Sequence, residues 1–230
     1  MRSQIVDLEN FRLTALAVQE VDSRPKNLPG ILAVTGPSGF GKTIATACAA
    51  NELNAIYLRL LSISTRRSAL ADAMAYYGQK SSSRAQVNFN YLVEALKSDT
   101  RAIFLDEVDA VQDWGIVEVF RALSDLSGSM LVLIGTDTLS RRIRKHEQVH
   151  GRVLRWVEFK PITATDTRKL ADQLAEVKVA DDLVERLVKT SASVRRIVTA
   201  LAAIERFAHR HRLTRVSLAQ YAEKETTLAA

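Results

Sequence analysis

The chain has 230 residues, of which 47% are hydrophobic and 25% charged, with a formal net charge of +6 and a single cysteine, Cys48. This length suffices for one sizeable α/β core, or for a core with a small second domain. The single cysteine excludes an internal disulfide and cysteine-based metal sites, and no apolar run reaches the roughly 18 residues of a membrane helix. We therefore expect a folded cytoplasmic protein without a membrane partner. Its pI near 9.6 suits a polyanionic partner.

The first predicted element is a short apolar strand, Ile31–Thr35, followed by a glycine-rich loop and then by a helix-favouring stretch, residues 44–52. The loop matches the pattern GxxxxGK[ST] and consists of Gly36, Pro37, Ser38, Gly39, Phe40, Gly41, Lys42 and Thr43. A strand before the pattern and a helix after it are the context that a nucleotide phosphate-binding loop requires. A purely structural glycine loop is the alternative interpretation.

The residue types in this loop suit the binding of a nucleotide. The glycines let backbone N–H groups converge on phosphates at the positive end of the following helix. Lys42 would bring a mobile positive charge to the outer phosphates, and the Thr43 hydroxyl would ligate Mg²⁺. Ile44, at the start of the helix, is counted among the nucleotide contacts. The loop therefore predicts ATP and Mg²⁺ as cofactors.

The remaining chain alternates strands and helices up to residue 161 and is helical after it. Four further strands are predicted at residues 55–60, 102–105, 130–135 and 153–159, with helices at residues 68–77, 88–98 and 116–126. The alternation predicts a three-layer α/β domain with a parallel five-stranded sheet. The later helices are predicted at residues 166–177, 180–190, 193–212 and 217–225. We therefore expect an α/β core over residues 1–161 and a small all-helical domain over residues 162–230, without strands.

The strand at residues 102–105 ends in two adjacent carboxylates, Asp106 and Glu107. Consecutive strand residues point to opposite faces, so the two acids can have different tasks. Asp106 would hold Mg²⁺, directly or through water, and Glu107 would polarise the water that attacks the γ-phosphate. A solvated acidic turn is the alternative. Asp109 continues the turn and receives no catalytic role.

The phosphate loop GPSGFGKT, the strand FLDE and the polar-tipped strand LVLIGT together resemble the core of AAA+ ATPases, over roughly residues 20–225. The resemblance implies an AAA+ core with a helical lid and three more catalytic residues. Thr136 takes the sensor-1 position, Arg152 the arginine-finger position and Arg195 the sensor-2 position. Thr136 also suits a simple turn, and Arg196 competes with Arg195. The other candidates for the finger are Arg141, Arg142, Arg144 and Arg155. Because a finger acts on a neighbour's ATP, a homo-oligomer is implied.

Within the AAA+ proteins, the sequence is similar to the ATPases that serve DNA transposition, namely the phage Mu B type and related target-selecting ATPases. The segments that carry this similarity include TGPSGFGKT, IFLDEVDAV, LVLIGTDTL and GRVLRWVEFKPIT. The phage Mu B type has an N-terminal helix-turn-helix domain, whereas only about 30 residues precede the first strand here. We therefore expect no function that depends on such an appendage.

Two basic clusters are candidates for contact with DNA. In the resembling ATPases the start of the second helix faces DNA, and here Arg59, Arg66 and Arg67 lie in that region among small hydroxyl side chains, which suit phosphate contact. The second cluster extends from Arg206 to Arg215, where basic residues at a helix C-terminus also need no partner. We expect no metal site at the histidines of this cluster, for want of a carboxylate or cysteine at ligand spacing.

The sequence therefore predicts a Mg²⁺-dependent, DNA-stimulated AAA+ ATPase that assembles as a ring or helical filament on double-stranded DNA, without sequence preference. Its predicted role is the delivery of target DNA to a transposase, in which case the protein is bacterial or phage-encoded and acts in the host cytoplasm. The alternative is a replication initiator or helicase loader. A third hypothesis is a signalling ATPase that binds no DNA.

Overall fold

The computed structural model describes residues 1–25 and 27–222. The chain forms two compact units. The core unit comprises residues 10–37 and 42–159. The helical unit comprises residues 1–9, the tip of the glycine-rich loop, Ser38–Gly41, and the chain from Lys160 onward.

The core unit is built on a parallel five-stranded sheet with the strand order β2-β3-β4-β1-β5. The strands are β1 (Ile31–Thr35), β2 (Ile56–Arg59), β3 (Ile103–Asp106), β4 (Leu131–Ile134) and β5 (Val153–Glu158). All five predicted strands are present, with ends that differ by no more than one residue. The α/β fold with a five-stranded parallel sheet is therefore confirmed.

The helices of the first 159 residues are α1 (Glu9–Asp22), α2 (Lys42–Glu52), α3 (Arg66–Ala75), α4 (Ala85–Ser98), α5 (Gly115–Ser127), α6 (Asp137–Arg144) and α7 (Glu147–His150). Helix α1 was not predicted, although it buries Ala17, Val18 and Val21. Helix α3 begins two residues earlier than predicted because Thr65 caps it. The Thr65 hydroxyl accepts a hydrogen bond from the Ser68 amide, and the Ser68 hydroxyl accepts one from the Thr65 amide.

The three central strands of the sheet are apolar because they are buried. Every residue of β1, β3 and β4 is buried, as expected for parallel strands that helices cover on both faces. In such sheets the carboxyl ends of the strands share one edge, where functional loops collect. The phosphate loop follows β1, Asp106 ends β3, and Thr136 comes two residues after β4. The topology thus brings these three features of the sequence to the same edge.

The helical unit contains α8 (Ala164–Leu174), α9 (Asp181–Thr190) and α10 (Val194–Arg210). The expectation that strands end at residue 161 is wrong, because β6 (Lys178–Val179) pairs in parallel with β7 (Arg215–Val216). Strands of two residues leave no alternating pattern in a sequence. Residues 218–222 are helical, and the rest of the helix predicted at residues 217–225 lies outside the described residues. No helix in the described part of the chain is both long and apolar enough to cross a membrane.

One histidine of α10 does have carboxylate neighbours, which corrects the expectation from the sequence. Potential ligand atoms of Glu176, Glu205 and His209 lie within 4.8 Å of one another. The N-terminal ammonium group contacts Glu176 at 3.2 Å and Glu205 at 2.8 Å. The group is an ion-pair cluster in this structure, and we assign it no metal.

Candidate functional site

The phosphate loop leaves β1 through a glycine that no other residue can replace without movement. Gly36 has φ of 144°, and a Cβ atom there would lie 2.8 Å from the Cβ of Phe159. The Lys42 ammonium group donates hydrogen bonds to the carbonyls of Gly36 at 2.6 Å and Pro37 at 2.9 Å. Burial lowers the pKa of Lys42, while Asp109 and Asp106 act in the opposite direction. A lysine held inside the curl of the loop suits the binding of phosphates there.

Asp106 accepts hydrogen bonds on both carboxylate oxygens. Oδ2 receives the hydroxyls of Thr43 and Tyr57, each at 2.9 Å, and Oδ1 receives the Glu107 amide at 2.8 Å. Burial raises the pKa of Tyr57, so its hydroxyl remains the donor. Because the Thr43 hydroxyl donates its hydrogen bond to Asp106, the lone pairs of the hydroxyl oxygen stay available to a cation. Hydroxyl and carboxylate oxygens side by side fit Mg²⁺, which prefers oxygen ligands.

Glu107 lies at the carboxyl end of β3 in an unusual backbone conformation. Its φ of 60° and ψ of 35° are left-handed, which is uncommon for a residue with a side chain. Its carboxylate accepts a hydrogen bond from the Arg59 guanidinium at 3.1 Å. Strand register explains the pair, because Arg59 stands opposite Asp106 on the neighbouring strand. One of the residues predicted to contact DNA is thus bonded to the predicted catalytic carboxylate.

Thr136 is bonded to Asp109, the acid that received no role from the sequence. Asp109 accepts hydrogen bonds from the amide and the hydroxyl of Thr136 and, at 3.1 Å, from the hydroxyl of Thr138. Burial acts to raise the pKa of Asp109, but these hydrogen bonds outweigh burial and lower the pKa. Thr136 also caps α6, so it ends a strand and starts a helix as well as occupying the predicted sensor position.

The candidates for the arginine finger differ in what they contact. Arg152 lies 2.7 Å from Asp125, and Arg155 lies 3.3 Å from Glu20. Arg142 donates to the carbonyl of Val111 at 2.6 Å and lies over the Trp114 ring. Arg141 and Arg144 make no ion pair within the described residues. Arg142 is thus committed to the structure of its own subunit, whereas Arg152 makes a partly exposed pair.

The start of α10 contacts the tip of the phosphate loop within the helical unit. The Arg195 amide and the Ser193 hydroxyl both donate to the Gly39 carbonyl, at 2.9 and 3.1 Å. Gly39 has φ of 82°, and a Cβ there would lie 2.7 Å from the Ser193 hydroxyl oxygen. The side chain of Arg195 is exposed, as is that of Arg196. The predicted sensor-2 residue therefore starts beside the loop tip, and its role in catalysis stays a prediction.

The other two arginines predicted to contact DNA stand in the first turn of α3. Arg66 makes two hydrogen bonds to Asp113, at 2.9 and 3.0 Å, and these bonds lower the pKa of Asp113. Arg67 is exposed and makes no ion pair within the described residues. Arginine in the first turn of a helix opposes the helix dipole, so this placement is not explained by helix stability.

Three residues of this site were missed from the sequence, namely Tyr57, Asp109 and Asp113. Tyr57 and Asp113 reach their partners across 49 and 47 residues, and no local pattern predicts such pairs. Asp109 did carry a signal, since it stands in the acidic turn that follows β3.

The sequence profile of the AAA domain family matches residues 26–143, just over half of the chain. No curated protein sequence matches the chain significantly.

Solved structures share the fold at low sequence identity. Cdc6p from Pyrobaculum aerophilum has a TM-score of 0.66 at 14% identity, covering 90% of this chain and 63% of that one. The RuvB Holliday junction branch migration motor of Thermotoga maritima has a TM-score of 0.64 at 16% identity, covering 97% and 70%. Drosophila ORC bound to DNA has a TM-score of 0.60 at 15% identity, covering 100% and 70%. The chain thus spans about two thirds of the length of these structures. These structures show the fold, and the family profile shows the family: this chain belongs to the AAA domain family.

Proposed function

We propose that this chain hydrolyses ATP and uses the cycle to assemble on duplex DNA in the cytoplasm, as replication initiators and helicase loaders do. The single observation that supports this most strongly is the bond between Arg59 and Glu107. It joins a residue predicted to contact DNA to the carboxylate predicted to activate water for ATP hydrolysis. Through this ion pair, contact between Arg59 and DNA can act on the hydrolysis of ATP.

The residues of the core unit divide the chemistry among themselves. Lys42 would bind the outer phosphates of ATP, and Thr43 and Asp106 would hold Mg²⁺, which would supply positive charge to the phosphate oxygens. Glu107 orients the attacking water and accepts its proton. Thr136 lies at the same edge of the sheet, with its hydroxyl held by Asp109, and would sense the γ-phosphate of ATP.

Contact with DNA would control Glu107 through Arg59. While the Arg59 guanidinium donates a hydrogen bond to Glu107 Oε1, that oxygen is occupied and does not accept a hydrogen bond from the attacking water. DNA phosphates compete for the Arg59 guanidinium, because both partners are anions. Once Arg59 turns to DNA, Glu107 is free to bind water. ATP hydrolysis is therefore expected to be stimulated by DNA.

The control by DNA is tested by ATPase rates with and without a duplex of mixed sequence. Wild type should be stimulated, whereas Arg59→Gln should hydrolyse ATP at a raised rate without DNA and respond weakly to it. Arg84→Gln is the matched control, since Arg84 is exposed and makes no ion pair within the described residues. An Arg59→Gln protein that is stimulated like wild type would refute the coupling.

The choice between initiator and transposition roles rests on different observations. Two of the similar structures are Cdc6p and an ORC bound to DNA, which favours the initiator or loader class. Delivery of target DNA to a transposase is the second candidate, and it rests on the resemblance of the motif segments alone. Both roles require a homo-oligomer, for which Arg152 would supply the finger.

A partner assay separates the two roles. The ATP-bound protein on DNA is incubated with the replicative helicase of the same cell, and in parallel with an integrase-type transposase encoded beside it. Helicase transferred onto DNA in an ATP-dependent way supports the initiator or loader role. Stimulated strand transfer into the coated DNA, lost in Lys42→Ala, would instead establish the transposition role.

A further inference from the structure

The segment from the start of α10 to the last described residue carries most of the net charge of the chain. Residues 193–222 contain six arginines, no lysine and one acidic residue, Glu205, which gives +5 against +6 for the whole chain. Glu205 is 4% exposed, and its carboxylate contacts the N-terminal ammonium group at 2.8 Å. The one acid of this segment is therefore turned inward. Its outer surface presents positive charge only.

Four of these arginines form a surface that we call the arginine face: Arg206, Arg210, Arg212 and Arg215. All four are exposed, and none makes an ion pair within the described residues. Arg206 and Arg210 stand one helical turn apart, about 6 Å along the axis, on the same side of α10. Elsewhere arginines do find carboxylates, for example Arg168, which contacts Asp172 and Asp181.

The backbone at Arg212 breaks a local rule. Helix α10 ends in a Schellman motif, in which the Leu213 amide donates to the Ala208 carbonyl at 2.9 Å and the Arg212 amide to the His209 carbonyl at 3.2 Å. Arg212 has φ of 57°, the left-handed conformation that glycine adopts at this position with least cost. A long basic side chain at such a place is not explained by folding. Local rules of this kind are broken mainly at functional sites.

The chemistry of the arginine face favours phosphate over protein. Protein interfaces are anchored by buried aromatic and apolar side chains. The large apolar side chains exposed on the described chain, such as Leu16 and Ile63, all lie outside residues 193–222. Guanidinium groups bind phosphate oxygens in pairs and are the preferred cations for this ligand. A surface with several such groups and no apolar anchor fits a repeating phosphate backbone.

We propose that the arginine face binds the phosphate backbone of duplex DNA, as a contact separate from Arg59, Arg66 and Arg67. The inference goes beyond the proposed function and rests on it only in naming DNA as the polyanion. The contact needs no nucleotide, because none of the four arginines is among the residues predicted to bind ATP. It is therefore present in every state of the ATPase cycle and keeps the protein on DNA between rounds of hydrolysis.

The test measures binding of the full chain to a fluorescent duplex of mixed sequence, without nucleotide, over a range of NaCl concentrations. Arg206→Gln/Arg210→Gln should weaken binding on the order of tenfold at low salt and reduce the slope of log K against log [NaCl] by about 2. Arg186→Gln/Lys189→Gln is the matched control, because it removes the same charge from exposed positions on α9 of the same unit. Equal loss in both variants would overturn the proposal.

A second variant separates DNA contact from stability. Arg212→Gly relieves the left-handed backbone, so it should weaken DNA binding while raising the melting temperature. A variant that is more stable and binds DNA as wild type does would exclude Arg212 from the contact.

An acidic polyglutamate peptide that displaces the duplex as efficiently per charge as competitor DNA would assign the surface to an acidic protein and overturn the proposal.

The outcomes also distinguish this inference from the proposed function. Wild type that binds no duplex, with or without ATP, contradicts both. Wild type that binds DNA and loses it equally in the α10 and α9 variants contradicts the inference alone. Loss of DNA-stimulated hydrolysis in Arg66→Ala/Arg67→Ala, with nucleotide-free binding retained, supports both contacts as separate surfaces.

Discussion

The arginines of the core unit and those of the arginine face have opposite surroundings. In the core unit Arg59, Arg66 and Arg152 each contact a carboxylate, namely Glu107, Asp113 and Asp125. On the arginine face none of the four arginines makes an ion pair with a described residue, and Glu205 of the same helix is buried. In the sequence, Arg59 and Arg66 belong to one basic cluster and the arginine face to another, and the two clusters look alike. Their different surroundings are visible only once the chain is folded.

The difference indicates two uses of the same side chain. An arginine that is paired with a carboxylate can exchange that carboxylate for another anion, such as a DNA phosphate, and the carboxylate is then released for another task. An arginine that has no such pair only adds affinity for the anion that it binds. We therefore expect substitutions in the first group to change catalysis or its control, and substitutions in the second group to change binding alone.

The largest effect is expected for Arg152→Ala. Its exposed pair with Asp125 should contribute less than about 1 kcal/mol to stability, whereas an arginine finger contributes about a thousandfold or more to turnover. The variant should bind ATP normally, hydrolyse it very slowly and inhibit wild type in mixtures. Sizing by light scattering with ATP, ADP and no nucleotide provides the companion measurement. A protein that stays monomeric with ATP and DNA would contradict the assignment of Arg152 as an arginine finger. Arg155→Ala tests the neighbouring candidate for the same role.

Glu107→Gln should reduce ATP turnover by about a hundredfold or more, because it removes the base while preserving shape. ATP affinity should be retained, since Lys42, Thr43 and Asp106 are intact. Single-turnover hydrolysis together with equilibrium binding of ATP measures both. Glu52→Gln, an exposed acid at the end of α2, is the control. Near-normal turnover in Glu107→Gln would remove the catalytic assignment.

Arg212→Gly should stabilise the protein by about 1 kcal/mol, since a left-handed residue with a side chain costs roughly that much. The free energy of unfolding from urea titration measures the change. Arg206→Gly, in the interior of α10, is the contrasting variant and should destabilise by about 1 kcal/mol. Two variants of the same composition with opposite signs would establish the conformation at Arg212. A destabilising Arg212→Gly would contradict it.

Asp113→Asn should give the smallest effect, an increase in DNA affinity of about threefold or less, because it releases Arg66 from an exposed pair of modest strength. This substitution converts one paired arginine into an unpaired one and so moves it from the first group to the second. Asp72→Asn, which removes the same charge from an exposed position on α3, controls for net charge. Identical gains in both variants would show that only overall charge matters.

Much of the core was predictable because its signals are local. The phosphate loop, the FLDE strand and the apolar runs of β1 and β4 predicted the sheet and the edge at which the site lies. Helix α1 precedes the first predicted strand and so lay outside the alternation of strands and helices from which the other helices were predicted. Strands β6 and β7 were missed because two residues show no period.

The partners of individual side chains were not predictable for a different reason. The bond between Arg59 and Glu107 depends on β2 lying beside β3 in one register, and strand order is not written in local sequence. The left-handed conformation of Arg212 was not predictable, because glycine is the residue that usually marks this position after a helix and the sequence has arginine there. The roles of Thr136, Arg152 and Arg195 remain predictions, which the variants above test.

Trp114 offers a way to watch the segment that follows Glu107. Its indole stacks on the imidazole of His146 at 4.7 Å and lies 4.7 Å from the Arg142 guanidinium. The chain has two tryptophans, so Trp156→Phe leaves Trp114 as the only indole. Because indole fluorescence depends on stacking and on nearby charge, any displacement of His146 or Arg142 during the ATPase cycle changes its emission. The core unit thus carries a built-in optical reporter that needs no attached dye.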